Sequence, residues 1–386
     1  MIRFSLPALA VLAVAACAIP PDPYGPGAFD QTFAEAEPIE AFKPRPSGRS
    51  GSIDYDLIDT LLDEAVVNLG PSTRRLASDP RNPTPTRIKQ GHQSKLRLEG
   101  NKVALSLFEA STRTAVRDYA NSLIAIANSA DITKLPRNEQ LAYWFNLHNM
   151  LVIAELAEGY PVQKPSQMEI DGVPFHQAKL ATIKGIPLSL FDIRERIVYA
   201  HWTDPKVMYG FFHGDLASPS ILDQAWDARF LNRDLKRNAR EFVNSLRGVD
   251  KRGEETLLVS PIYAEARGTL FRSWPDDLTQ HLLTYANEEV SGLIKERPDI
   301  RFSRYEVRIA DLAGGEPYVS ISPNWEPISP VGGRPVRSQN LPLSVQRMQD
   351  DIGRKFASPE FKLRLRRGTV TIIDQEELEE SQAEVQ

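Results

Sequence analysis

The chain has 386 residues, 41% of them hydrophobic and 25% charged, with a formal net charge of −5 at pH 7 and a single cysteine. These proportions are ordinary for a globular protein and exclude a fibrous or wholly disordered chain. The acidic balance argues against general nucleic-acid binding, and one cysteine leaves no disulfide, no thiolate metal cluster and, where Cys17 stands, no cysteine nucleophile in a folded domain.

Arg3 gives a short basic start, and residues 6–15 form an apolar run too short for the ~20 residues that span a bilayer. Val14-Ala15-Ala16-Cys17 follows, and it resembles the bacterial lipoprotein box. That resemblance implies removal of residues 1–16 as a signal peptide, palmitate-type acylation of Cys17 and a membrane anchor on the mature chain. Loss of the leader, whose only charge is Arg3, takes the net charge to −6. Ala18 carries no aspartate-type retention signal, so the expected place is the outer membrane, facing the periplasm. Residues 17–52, with Pro20, Pro21, Pro23, Pro26, Pro38, Pro44 and Pro46, read as an extended tether.

About 320 residues remain, enough for one large domain or two smaller ones. Apolar spacing predicts helices over 54–69, stopped by Gly70-Pro71, and over 112–130. A third helix, 137–159, is apolar around most of its circumference and is expected to be buried on nearly every side. Residues 70–94 read as an irregular connection, and 102–108 fit a strand and a helix start equally. Short strands are expected near 170–175 and 181–188, then a helix over 189–199 with Ser189 as its cap. Aromatic and β-branched content predicts a buried strand at 206–212, left by the turn His213-Gly214-Asp215. Helices over 223–246 and 275–295 follow, with an edge strand at 257–261 and strands at 305–310 and 370–373. The main domain is thus read as 53–300, with a strand-rich C-terminal extension at 301–373 that contains a Pro- and Gly-rich stretch, and an acidic disordered tail at 374–386. The basic group Lys362, Arg364, Arg366 and Arg367 is expected to balance that tail. No internal repeat is present, and the expected fold class is α+β, with helices packed on a small mixed or antiparallel sheet.

The strongest local pattern is Trp144-Phe145-Asn146-Leu147-His148-Asn149, three polar side chains in an apolar helix. With Gly159-Tyr160-Pro161-Val162, Gly185-Ile186-Pro187-Leu188-Ser189-Leu190, Asp192-Ile193 and Asp204-Pro205-Lys206-Val207, it resembles the bacterial and plant family called domain of unknown function 547, over roughly residues 115–275. Members of that family usually carry a Glu-His pair where this chain has Arg194-Glu195, a histidine where Met208 stands, and cysteines where His213 and Ser218 stand. The resemblance therefore implies a shared domain without the family's thiol chemistry.

Trp144, Asn146, Asn149, Ser189 and Asp192 are expected in a polar core, since buried polar groups need partners. His148, His213, Asp215 and Ser218 are the catalytic candidates, because an imidazole can act as base to a serine nucleophile. Against that role, Asp215 and Ser218 also suit turn and helix-start chemistry, and His148 suits a satisfied core. His201 is expected to cap the carbonyls of the helix before it. No metal or cofactor is expected: His148, His201 and His213 lack a ligand spacing, and Gly-rich phosphate loops, Gly-x-Ser-x-Gly and His-Glu-x-x-His are absent. The favoured function is a non-catalytic binding or scaffolding module at the membrane, with a protein or an envelope polymer as partner and no nucleic acid. The alternative is an envelope hydrolase or transferase using His213 with Ser218, or His148. Replacing Cys17 tests the leader: Cys17→Ser is expected to abolish lipid labelling and release the protein from the membrane fraction, and full labelling of the serine variant would refute the anchor.

Overall fold

The computed structural model describes residues 37–48, 51–79, 92–316, 320–321, 327–328, 341–365 and 370–374. The leader with Cys17, tether residues 18–36, most of the Pro- and Gly-rich stretch, Arg366, Arg367 and the acidic residues 375–386 lie outside them. Strand β1 (Gly51–Asp54) leads into helix α1 (Asp56–Ala65), and two short strands, β2 (Val66–Val67) and β3 (Lys102–Val103), pair antiparallel. Helices α2 (Ala110–Ser129) and α3 (Arg137–Glu158) form the centre. Two hairpins come next, β4 (Glu169–Ile170) with β5 (Val173–Pro174), and β6 (Lys179–Ile183) with β7 (Ile186–Ser189). Helix α4 (Leu231–Val243) precedes a sheet in which β9 (Thr256–Val259) lies between β8 (Val249–Arg252) and β10 (Asp299–Phe302). Between β9 and β10 run α5 (Ile262–Glu265), α6 (Arg267–Leu270), α7 (Asp276–Tyr285) and α8 (Glu288–Glu296). The chain ends with the pair β11 (Ser320–Ile321) and β12 (Pro327–Ile328), helices α9 (Leu343–Ala357) and α10 (Pro359–Leu365), and β13 (Thr371–Asp374) antiparallel to β1. The class is α+β, built from small sheets of two or three strands. No helix among the described residues is long and apolar enough to cross a membrane.

The main core packs around α3, where every residue from Gln140 to Ala154 is buried. Trp144 meets the Phe42 ring edge-on at 5.2 Å, so residues within the stretch read as a tether dock on the core. Phe145 lies between Phe211 at 4.9 Å and Trp226 at 5.1 Å. Such aromatic pairs add about 0.5–1.5 kcal/mol each beyond area burial.

Several expected elements take another form, for reasons visible in their hydrogen bonds. Residues 206–212 are not a strand: Pro205–Gly210 is a 3₁₀ helix, begun by Asp204 Oδ1, which accepts from Lys206 N at 3.1 Å. The backbone beyond it pairs with a side chain in place of a sheet, since Asn149 donates to Gly210 O at 3.0 Å and accepts from Phe212 N at 3.0 Å. Gly210 is required there, because a Cβ would sit 2.3 Å from Phe145 Cε1. The helix expected over 223–246 begins only at Leu231, since Asn146 brackets Trp226 N and O at 2.8 Å and Asp59 Oδ1 accepts from Ala225 N at 2.6 Å. The helix expected over 275–295 is two helices, because Asn287 Oδ1 accepts from Val290 N at 2.9 Å and starts a new one. β9 is a central strand and not an edge, and 305–310 makes only an isolated bridge between Ile309 and Asp215.

Truncating the central contacts should act on stability. Trp144→Ala is expected to cost about 3–5 kcal/mol, and Asn149→Ala about 1–3 kcal/mol through its unpaired partners. Thermal melts of the two variants check this, and an unchanged midpoint in both would contradict the central role of α3.

Candidate functional site

The candidate catalytic residues come from two places: His148 from α3, and His213, Asp215 and Ser218 from the segment that follows the 3₁₀ helix. Between them runs the helix begun by Ser189, whose Oγ accepts from Asp192 N at 3.1 Å while Asp192 Oδ2 accepts from Ser189 N at 2.8 Å. Asp192 also pairs with Lys179 and Arg196, so this corner of the polar core is fully partnered. Asp192–Tyr199 is wound as a π-helix, a form that concentrates at functional sites. It turns Arg194, Glu195 and Tyr199 inward, where all three are buried.

Arg194 is the hub of the site. Its Nη1 donates to His148 Nε2 at 3.0 Å and to His176 Nδ1 at 3.3 Å, and its Nε donates to Glu265 Oε1 at 2.5 Å. The acceptor role of His148 Nε2 puts the proton on Nδ1, which faces Asn149 Oδ1 at 3.1 Å and thereby fixes a neutral tautomer. The His213 ring stands 5.6 Å from that of His176 and 6.2 Å from that of His148, between centroids. Burial and the Arg194 charge hold all three imidazoles neutral, with His176 down to about 3 and His148 and His213 well below the usual histidine range. Glu195 moves the other way: burial, then the neighbouring Glu265 carboxylate, raise it well above the usual range.

Ser218 does not join this group. Its Oγ donates to Asp215 O at 2.9 Å and accepts from His213 N at 3.2 Å, and its own N donates to Asp215 Oδ1 at 3.0 Å. All three are turn contacts to backbone or to the turn's own aspartate, and none reaches an imidazole. Gly214 at the turn has φ +93°, the left-handed region that suits glycine. Tyr305 OH lies 3.0 Å from both Asp215 oxygens, tying the turn to the segment after β10. His201 does not cap its helix, since its Nε2 faces Ile39 O at 3.5 Å instead. Thus His148, His201 and His213 do not converge, and among the described residues no group of three or more His, Cys, Asp or Glu side chains is placed to hold a metal ion.

Sequence reasoning singled out His148 and His213 and missed His176, in the turn between β5 and β6, and Glu265, on α5 and 71 residues after Arg194. The available signal was the Arg194-Glu195 departure, since a charged pair on an apolar helix face demands buried partners.

Behind the 213–222 segment lies a second feature, a groove of about 430 Å³ lined by residues that include Asn68, Asn101, Asp223, Arg240, Asn244 and Asn287. Its wall is stiffened by Arg247, which is 5% exposed, donates to Ser218 O at 2.7 Å and pairs with Glu241. Ser220 Oγ, donating to Glu241 Oε2 at 3.0 Å, completes that wall.

Burial raises the Asp215 carboxyl to about 7, against the lowering effect of the Tyr305 and Ser218 bonds. A carboxyl raised in the folded state takes up a proton on folding, so its contribution favours the fold at low pH and is lost as pH rises from about 4 through about 7. Asp215→Asn is therefore expected to raise the melting midpoint at pH 8 more than at pH 5. An equal shift at both values would refute the assignment.

The match to known proteins is confined to part of the chain. No curated protein and no solved structure matches it. Residues 132–243, from the turn before α3 to the end of α4, match the family described as "Protein of unknown function, DUF547", so the chain carries a DUF547 domain.

Proposed function

We propose that this protein is a non-catalytic binding module of a bacterial cell envelope, held at the outer membrane by a lipid on Cys17, and that its ligand occupies the groove lined by Asp223 and Arg240. The observation that carries this reading is the state of Ser218: its hydroxyl is spent on the 213–218 turn, with no imidazole in reach as a base. Where the family usually has a Glu-His pair, Arg194 is committed to Glu265, His148 and His176. A nucleophile–base pair needs a contact of about 2.6–3.2 Å, and the Ser218 hydroxyl has none with a histidine ring. The groove, by contrast, presents amides and charges of both signs around a volume within the ~300–1,000 Å³ of small-ligand sites.

The two roles separate in a deletion strain. His213→Ala with Ser218→Ala is expected to complement at unchanged protein level, whereas Arg240→Glu, which reverses a charge exposed in the groove, is expected to fail. A folded, normally localised double variant without function would refute the non-catalytic reading, because loss of general base catalysis alone removes about 10²- to 10⁴-fold in rate.

A further inference from the structure

Most polar atoms around the groove are already committed to the fold. Asn244 Nδ2 donates to Arg240 O at 2.7 Å and to Tyr285 O at 2.9 Å, and Asn287 Oδ1 caps α8. Asn101 Nδ2 donates to Ile221 O at 2.7 Å, and Asn238 Nδ2 holds Tyr209 O and Ser220 O. Glu241 is neutralised by Arg247, and Arg237 faces Asp234 at 3.6 Å. Two opposite charges stand apart from this scheme. Neither the Asp223 carboxylate nor the Arg240 guanidinium has an ion-pair or hydrogen-bond partner among the described residues, although both line the same groove. An arginine and a carboxylate that line one groove and do not pair with each other offer a ligand both a donor fork and an acceptor.

We propose that the groove binds a short peptide with a free amine and a free carboxylate, Arg240 taking the carboxylate and Asp223 the ammonium. This deepens the binding reading above and rests on it. The committed amides leave Asn101 Oδ1 as an acceptor and Asn287 Nδ2 as a donor, the pair of functions that a peptide's N–H and C=O groups require. A polyanion such as a nucleotide is disfavoured, because the groove sets the unpaired Asp223 carboxylate against the one unpaired cation among the described residues that line it, Arg240, while Arg237 is held by Asp234 and Arg247 by Glu241. The lining contains no aromatic side chain, so the stacking surface that sugar rings favour is missing.

The test uses the full-length protein in detergent and isothermal titration with three forms of trialanine: free, N-acetylated and C-amidated, with chitotriose as the neutral glycan. Free trialanine is expected to bind, and blocking either end to weaken it about tenfold or more, the loss of one charge-assisted contact. Asp223→Asn should abolish the penalty for acetylation, and Arg240→Gln the penalty for amidation, which a merely structural role for either residue would not do. Equal binding of all three peptides, or binding of chitotriose in their place, overturns the zwitterionic ligand and leaves the binding reading standing. Failure of free trialanine to bind at millimolar concentration also overturns it, and the binding reading falls with it only if Arg240→Glu complements the deletion.

Discussion

A helix buried on nearly all sides gives its polar side chains no water, and the rest of this structure is arranged to supply what water would have supplied. Asn146 and Asn149 answer by acting as backbone surrogates. Each presents one donor and one acceptor to a peptide group of another segment, Trp226 in one case and the Gly210–Phe212 turn in the other. An amide in this role is a one-residue strand edge, and it explains how segments without sheet partners are buried with their N–H and C=O groups paired. The connection from 204 to 230 is irregular in secondary structure and still belongs to the core.

The cluster around Arg194 follows the same logic with charge in place of dipoles. A buried guanidinium costs several kcal/mol to desolvate unless it is paired and hydrogen-bonded. Here one carboxylate and two imidazoles meet it, and their price is a set of histidines kept neutral. Burial and the Arg194 charge favour the neutral form of these histidines and shift their titration below the usual histidine range.

The long helices are legible because periodicity reports burial directly: residues 137–159 are apolar around most of the helix, and α3 is buried on nearly every side. Ser189 was readable as a cap because capping is local. What escaped was decided by distant partners. Val207, Met208, Tyr209 and Phe211 look like a strand by composition, and nothing local says that an asparagine 61 positions before Gly210 replaces the neighbouring strand. His176 and Glu265 escaped likewise, since their meaning lies in Arg194. The groove was not anticipated at all, because its walls are drawn from five stretches of chain between Asn68 and Asn287.

Strands β1 and β13 join Gly51 to Asp374 across about 320 residues of sequence. Loop closure of that length is entropically expensive and slow to find by search, so this pair forms late, after the intervening chain has collapsed. A chain delivered from its N-terminus must therefore carry β1 as an open edge until its last strand arrives. The order of arrival makes β13 a latch: a chaperone that shields the early edge would have a natural point of release, and a chain cut short before β13 would present that edge to other molecules instead.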